Sequence, residues 1–277
     1  MALSVVDLYR DVLPKTNCGD CGFPTCLAFA GMVVAEKHPI DGCPHLAPEV
    51  VARCNQELGE QYAAGKWTRR DLAEDALIWA KQRSASMNLP DLPARIGGEL
   101  VETDAGAALK LPYFDGHVII DENDIVSADG SALTRWEKVF IYNHLSQGGM
   151  RTPTGKWKGF EELPNTVSKI KTMAGQVETP LVDRFHGRIG QLVAAAHKFG
   201  GTDVTGSANS ADAALLFRPF SRVPVMLLFW DEDPVDGFGA TAKLLFDETV
   251  IEHLDIESIV FLSERLRQQL CDAADST

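Results

Sequence analysis

The stretch that decides the first part of the fold is Asn17-Cys18-Gly19-Asp20-Cys21-Gly22-Phe23-Pro24-Thr25-Cys26, in which three cysteines fall within nine residues. A fourth, Cys43, follows after sixteen intervening residues and precedes a proline. An iron–sulfur cube has four corner irons that each need one thiolate, which a tight three-cysteine loop and a returning segment can supply. Gly19 and Gly22 let the backbone bend around the cube. The pattern predicts one 4Fe-4S cluster held by Cys18, Cys21, Cys26 and Cys43.

Zinc is the main alternative for this motif, since four thiolates also form a closed tetrahedral site. Short zinc sites usually pair two separate two-cysteine knuckles, so three clustered ligands and a distant fourth favour a cube. Disulfides fit less well, because the six cysteines are not spread along the chain as a disulfide framework would be. Cys54 is interpreted as a buried packing residue, or else a substitute ligand, and Cys271 as an inert residue of the last helix.

The formal net charge of −13 limits the classes of partner. Nucleic acid and anionic membranes require a basic face, so neither is expected to bind. The acidic excess lies at the two ends of the chain, where it serves solubility or docks a basic redox partner. The sequence has no long uncharged apolar run and no secretory leader pattern, which predicts a soluble cytoplasmic protein without membrane insertion.

The cysteine loop lies among predicted helices. Ser4 is a candidate N-cap for the first helix, and Pro14 ends it. Apolar residues at helical spacing place these helices at residues 4–13, 25–36 and 48–61. Gly65 marks a boundary, so we predict a small helical cluster-binding module over residues 1–62 and a larger domain over residues 66–277.

The larger domain is predicted to have an α+β fold. Its helices and strands alternate too irregularly for a doubly wound sheet, and no glycine-rich phosphate loop follows a strand. The periodicity predicts helices at residues 68–87, 133–145, 179–199 and 256–272, strands at 108–114, 117–121, 125–128 and 223–230, and a long loop at 150–165.

The residues of the module resemble a known family. The segment Leu13-Pro14-Lys15-Thr16-Asn17-Cys18-Gly19-Asp20-Cys21-Gly22, with Pro24-Thr25-Cys26-Leu27-Ala28-Phe29-Ala30 and Asp41-Gly42-Cys43-Pro44, is similar to the iron–sulfur module of the corrinoid iron–sulfur protein large subunit. That resemblance implies a low-potential one-electron carrier that reduces a corrinoid, with the four cysteines as ligands. No Asp-x-His corrinoid-ligand motif is found, so the corrinoid role does not follow automatically.

A second resemblance covers the larger domain. The segments Gly155-Lys156-Trp157-Lys158-Gly159-Phe160-Glu161-Glu162-Leu163-Pro164 and Lys243-Leu244-Leu245-Phe246-Asp247 look like those of domain-of-unknown-function family 3786. That family occurs mainly in strict anaerobes, often fused to such a module. The resemblance implies an anaerobic setting and supplies no mechanism.

Histidines are the next candidates for chemistry. His186 and His197 lie eleven residues apart on one predicted helix, about 16 Å along its axis, so they cannot bind one ion together. The possibility that one of these two histidines faces a cofactor stays open. His38 and His45 flank the cysteine loop, where hydrogen bonding to the ligands is favoured over ligation.

Two charged groups are further candidates. The first is a set of lysines near aromatic residues that could bind an acidic ligand: Lys156, Lys158, Lys169 and Lys171. A solvated loop is the favoured interpretation of this set. The second is a set of acidic residues after the apolar strand that could bind a metal or carry out acid–base chemistry: Asp231, Glu232, Asp233 and Asp236. A solvated turn is the favoured interpretation of this set.

Two functions of different classes follow. In the first, the cluster takes one electron and delivers it to a corrinoid or other tetrapyrrole held by the larger domain, with a ferredoxin or a corrinoid protein as redox partner. In the second, the cluster is structural or sensory and the larger domain is an interaction module. An enzyme proper lacks any nucleophile–base constellation in the sequence.

Overall fold

The computed structural model describes residues 3–66, 72–104, 106–207, 211–233, 235 and 237–275. The chain divides into two compact units, Met1–Leu72 and Ala73–Thr277. Our predicted boundary, residues 1–62 against residues 66–277, remains a prediction.

The first unit is helical. It contains α1 (Val5–Asp7), which continues as a π-helical turn over Leu8–Val12, then α2 (Cys26–Glu36), a 3-10 turn at Ile40–Gly42, and α3 (Pro48–Ala63); α4 begins at Leu72 and runs to Ser84. All three helices predicted around the cysteine loop are present. Ser4 caps α1 as expected, because its hydroxyl accepts from the Asp7 N–H while the Asp7 carboxylate accepts from the Ser4 N–H.

The core of the first unit is small, and two cysteines belong to it. Side chains from the first helical segment, α2 and α3 pack together, among them Leu8, Phe29 and Leu58. Cys26 and Cys43 lie in the same cluster, each 6% exposed. A unit with so few buried side chains has little hydrophobic stabilisation of its own.

The second unit contains two antiparallel sheets and most of the helices. Its remaining helices are α5 (Leu92–Ile96), α6 (Arg135–Gln147), α7 (Ile170–Met173), α8 (Thr179–Phe185), α9 (Ile189–His197), α10 (Val250–His253) and α11 (Ile256–Asp275). The strands are β1 (Glu99–Thr103), β2 (Gly106–Tyr113), β3 (Gly116–Ile120), β4 (Ile125–Ser127), β5 (Trp157–Gly159), β6 (Thr202–Asp203), β7 (Ala213–Phe220), β8 (Val223–Trp230) and β9 (Thr241–Asp247). The α+β fold class is confirmed.

The first sheet is a meander in the order β1-β2-β3-β4. The β2–β3 hairpin turns at Phe114–Gly116, where Phe114 takes a left-handed φ of 50°. This sheet meets the second one at the end of β2, because the Phe114 N–H donates to the Pro219 carbonyl at 3.1 Å.

The second sheet has the order β5-β9-β8-β7-β6, and its three central strands are far longer than its edges. β8 is the almost purely apolar run that was predicted to be a buried strand. Helix α11 packs against α6, α8 and α9, and places Ile259, Leu262, Leu266 and Leu270 in the core.

Several predictions for this unit are wrong. The helix predicted over residues 179–199 is broken between α8 and α9, where Gly187 has a φ of 67° and its N–H donates to the Asp231 carboxylate. The loop predicted over residues 150–165 contains β5, and the strands β1, β6, β7 and β9 were not predicted. The start of the helix predicted at residues 68–87 lies outside the described residues.

Candidate metal centre

The cysteine loop connects the first helical segment to α2 and is shaped by left-handed residues. Gly19 and Gly22 have φ values of 82° and 83°, and the Gly22 N–H donates to the Gly19 carbonyl at 2.8 Å. A side chain at either position would be strained by the backbone conformation. The two glycines therefore turn the chain as the sequence predicted, and they bring Cys18 and Cys21 to the same turn.

The third cysteine is held by the start of α2. Cys26 is the first helical residue, and its N–H donates to Asn17 Oδ1 at 2.8 Å. Thr25 is the N-cap, because its hydroxyl accepts from the Ala28 N–H at 3.1 Å. The cap and the asparagine fix the direction of the Cys26 side chain.

The fourth cysteine enters from the 3-10 turn at Ile40–Gly42. The Cys43 N–H donates to the Ile40 carbonyl, which holds the thiol at the end of that turn. Cys18 is exposed and Cys21 is half-buried, whereas Cys26 and Cys43 belong to the core. The motif therefore has two thiols on the core side and two towards solvent.

Cys43 lies near enough to the other three cysteines for their charges to act on its thiol. Burial raises the pKa of Cys43, a hydrogen bond from the His45 backbone opposes this, and the charges of Cys21, Cys26 and Cys18 raise the pKa further. Four thiolates this close repel each other unless a cation lies among them, which is the requirement that a metal centre meets.

Ligand atoms of other kinds also lie beside the loop. Within the described residues, Cys18, Asp20 and His45 each place one candidate ligand atom within 4.8 Å of the others. Four thiolates can hold either one zinc ion or the irons of a cluster, so the donor set suits both kinds of metal centre.

The two histidines beside the loop have different surroundings. His45 Nε2 lies 2.7 Å from Asp20 Oδ2, and the Asp20 carboxylate, followed by Cys18, raises the pKa of His45. His38 packs edge-on against Phe23 and Phe29, with ring centroids 5.2 and 5.8 Å away. His45 is thus a hydrogen-bonding neighbour of the loop, and His38 belongs to the aromatic packing beside it.

The remaining cysteines are in packing positions. Cys54 is 1% exposed in the core of the first unit, and burial raises its pKa. Cys271 is half-buried on α11, where burial also raises its pKa.

Contrary to the prediction, His186 and His197 do not lie on one continuous helix. His186 follows the end of α8 and His197 ends α9, so the axial distance assumed for one helix does not apply. His186 Nε2 is paired with Glu232 Oε2 at 2.6 Å on the surface.

Most of the charged candidates contact residues outside the candidate groups. Asp231 accepts from the Gly187 N–H, and Asp233 pairs with Phe238 through the backbone, while Asp236 lies outside the described residues. Three of the four candidate lysines form surface ion pairs: Lys156 with Glu248, Lys158 with Glu162, and Lys169 with Glu257. The solvated loop favoured for them is wrong for Lys169 and Lys171, because Lys169 is the N-cap residue of helix α7 and Lys171 lies within it.

Three buried polar residues of the second unit were missed by sequence reasoning. Glu137 is 1% exposed and contacts Tyr113 and Arg265 from other elements. Its one sequence signal was the capping box that it forms with Thr134 at the start of α6. His144 and His253 are fully buried, and nothing in their local sequence distinguishes them.

Fold and loop together define the class: an iron–sulfur module of short helices on the same chain as a larger α+β unit. A family model described as "Putative Fe-S cluster" matches residues 13–45, the stretch with the four cysteines, and supports Fe-S cluster binding. A second model, described as "Domain of unknown function (DUF3786)", matches residues 88–269. Because this match covers more than half of the chain, the protein belongs to the DUF3786 family.

Three curated relatives match over 47 to 147 residues of this chain. The corrinoid/iron-sulfur protein large subunit of Moorella thermoacetica is 47% identical over 47 residues, 17% of this chain and 10% of that protein. Subunit gamma 1 of the acetyl-CoA decarbonylase/synthase complex of Methanosarcina thermophila is 34% identical over 147 residues, 52% of this chain and 27% of that protein. A component of an ion-translocating oxidoreductase complex from Methanosarcina acetivorans is 35% identical over 57 residues, 21% of this chain and 22% of that protein.

The chain spans no more than 27% of the length of these relatives. No solved structure matches it. In the described part of the chain, no helix combines the length and the apolar composition needed to cross a membrane.

Proposed function

We propose that the first unit holds one 4Fe-4S cluster through Cys18, Cys21, Cys26 and Cys43, and that the protein is a one-electron carrier. When bound, such a cluster supplies a centre that gains and loses single electrons. The observation that carries the proposal is that three thiols of one glycine-shaped loop and the thiol of Cys43, which follows the 3-10 turn, lie near one another within the stretch that the iron–sulfur family model matches.

The residues of the unit have distinct tasks in this proposal. The four thiols lose their protons on binding, and the raised pKa of Cys43 is overcome by the metal. Phe29 and the core side of the loop exclude water from two ligands. Exposed Cys18 leaves one corner of the site near solvent, where an electron can enter or leave.

The relatives support a redox role. Their printed names describe a corrinoid/iron-sulfur protein, an acetyl-CoA decarbonylase/synthase complex and an oxidoreductase complex. We therefore propose that this chain works in anaerobic metabolism with a protein redox partner, such as a ferredoxin or a corrinoid protein. The net charge of −13 favours a basic docking face on that partner.

The proposal also includes the identity of the electron acceptor. A corrinoid or another tetrapyrrole remains the leading acceptor, bound by the larger domain or presented by the partner. Two cavities of the second unit have volumes of about 320 and 350 Å³. These are at the small end of the range for ligand sites, about 300–1,000 Å³, so a macrocycle presented by a partner is the better fit.

Cluster content is tested first. Protein purified without oxygen should contain about four iron and four sulfide per chain and give the paramagnetic resonance signal of a reduced cluster after dithionite treatment. Serine at position 18, 21, 26 or 43 should lower the iron content or alter the signal. Cys54→Ala and Cys271→Ser are the matched controls and should leave both unchanged. A colourless protein with one zinc per chain would overturn the assignment.

Electron transfer is tested separately. Reduced ferredoxin should bleach the cluster absorbance, and added oxidised corrinoid protein should restore it with reduction of the corrinoid. A full-length protein whose cluster is present but exchanges no electrons with either protein would refute the carrier function.

A structural or sensory cluster is the second candidate, with the larger domain as an interaction module. The observation in its favour is that Cys26 and Cys43 lie in the core of a unit with few other buried side chains. Under this hypothesis, removal of iron by a chelator unfolds residues 1–72 and abolishes partner binding without a redox effect. Reversible reduction with electron delivery to a partner would contradict it.

A further inference from the structure

A polar cavity of about 320 Å³ lies in the second unit, away from the cysteine loop in sequence. It is lined by the turn of the β2–β3 hairpin, the turn after β4, the start of α6 and one face of α11. All of its lining residues belong to the DUF3786 match, and none has been given a task above.

The floor of the cavity is a buried network. Tyr113 Oη donates to Glu137 Oε1 at 2.9 Å, and Arg265 Nε is paired with the same oxygen at 2.8 Å. The other oxygen of Glu137 accepts from the backbone and hydroxyl of Thr134, at 2.9 and 2.8 Å. Burial, followed by the Glu137 charge, raises the pKa of Tyr113, so the phenol stays protonated and donating. Hydrogen bonds from Tyr113 and Thr134 thus fix the Glu137 carboxylate in position, whereas Arg265 Nε is held by the ion pair without a hydrogen bond of good geometry.

Besides Arg265 Nε, one acceptor in the wall lacks a hydrogen bond among the described residues. Gln269 lies one helical turn after Arg265 on α11 and lines the same cavity. Its Oε1 is buried and accepts no hydrogen bond from the residues that the structure describes. Because a buried acceptor without a donor costs about 1–3 kcal/mol, this oxygen indicates a place for an N–H group of a ligand.

The charges of the lining select the sign of that ligand. The Arg265 charge is offset by Glu137, which leaves the rim carboxylates Asp115 and Asp129 without a cation among the residues that line the cavity. Hydrogen bonds, the strongest from Ser127 Oγ, lower the pKa of Asp129 to about 2, so it is ionised near neutral pH. Because both carboxylates are exposed on the rim, they favour a positive group at the mouth of the cavity.

A metal ion does not fit this lining as well as an organic cation. Within the described residues, the rim acids and His117 do not come together as a grouping of metal-ligand atoms. Tyr113 and Phe114 instead add aromatic surface, which suits an organic body and the face contacts of a cation.

We propose that this cavity binds a small organic cation with N–H donors, an ammonium or amidinium compound, whose N–H group bonds Gln269 Oε1 while its charge faces Asp129 and Asp115. The proposal is independent of the cluster, since no residue of the first unit takes part in it.

Calorimetric titration of the full-length holoprotein tests the proposal with benzylamine and benzamidine as cationic probes and benzoate as the matched anion. At least one cation should bind saturably with a Kd of about 1 mM or below, and benzoate should not. Gln269→Leu should weaken binding about fivefold to tenfold, because it keeps the shape and removes the acceptor. Gln268→Leu, on the exposed side of the same helix, is the matched control and should leave the Kd unchanged.

Asp129→Asn provides a second variant on a surface turn, and it should also weaken the binding of the cation. If Gln269→Leu does not fold, Asp129→Asn decides. The proposal is overturned if neither cation binds saturably, if benzoate binds equally well, or if the control variants and the cavity variants change the Kd to the same extent.

Discussion

Acidification should weaken the second unit because His144 is held there as a neutral imidazole. The ring is fully buried and stacks on Phe220 with centroids 4.4 Å apart. Its Nδ1 lies 3.1 Å from the carbonyl oxygen of His253, so Nδ1 carries the proton that it donates. Burial lowers the pKa of His144 to about 3, and the nearby charges of His253, Arg95 and Arg222 act in the same direction.

The magnitude follows from the two pKa values. In the unfolded chain the pKa of histidine is about 6.5, so below that pH the unfolded state binds more protons and the free energy of unfolding falls. The stabilisation is fully present above about pH 7 and is lost progressively as the pH falls from about 6.5 towards 3. At pH 5 the difference is about 1.5 pH units, which at about 1.36 kcal/mol per unit gives a loss of about 2 kcal/mol.

Urea unfolding at pH 8 and pH 5 measures this loss, with tryptophan fluorescence as the signal, since four of the five tryptophans lie in residues 73–277. His144→Phe is the informative variant because it keeps the ring stack on Phe220 and cannot be protonated. Its unfolding free energy should fall by about 2 kcal/mol less than that of the parent between the two pH values. Acid loss of the cluster affects both proteins equally. Equal pH dependence in the two proteins would refute a buried neutral His144.

Three further substitutions test the packing and the caps. Gly148→Ala should cost about 1–3 kcal/mol in urea unfolding, because its Cβ would lie 2.1 Å from Ile96 Cγ2, whereas Gly175→Ala meets nothing within 4 Å and should be neutral or stabilising; equal effects would contradict the close approach. Thr25→Ala should cost about 0.5–2 kcal/mol and speed the loss of cluster absorbance in chelator, while Thr25→Ser should restore the parent rate; an unchanged rate in Thr25→Ala would exclude a role for the cap. Leu244→Ala should lower the free energy of unfolding by about 2–5 kcal/mol, and a loss below about 1 kcal/mol would mean that the site collapses around the smaller side chain.

The helices of the first unit could be predicted because their signals are local. Ser4 and Thr25 are caps that bond to residues three positions later, and Pro14 stops the first segment whatever packs against it. The spacing of Cys18, Cys21 and Cys26 is likewise a local signal, whereas the assignment of Cys43 as the fourth ligand stays a prediction.

The second sheet could not be predicted as well, because its pairing joins distant parts of the chain. β7 and β9 both lie beside β8, and only β8 has a run of apolar residues long enough to be noticed alone. The break at Gly187 depends on the Asp231 carboxylate, 44 residues away, which accepts its N–H. The spacing of apolar residues along one segment cannot indicate a contact with a residue so far away in the sequence.

The cavity in the second unit also depends on contacts between distant residues, which the sequence does not indicate. The capping box of Thr134 and Glu137 is legible in the sequence, but the same carboxylate also receives Tyr113 and Arg265 from other elements. The N-terminal capping box of α6 therefore also forms part of the floor of a candidate ligand site.

The second sheet protects its long apolar strands from self-association. β7, β8 and β9 have seven or eight residues each, and the strands outside them, β5 and β6, have three and two. Edge strands this short offer few free backbone groups to a strand from another molecule. The outermost strands of this sheet therefore contribute little to pairing between two copies of the chain.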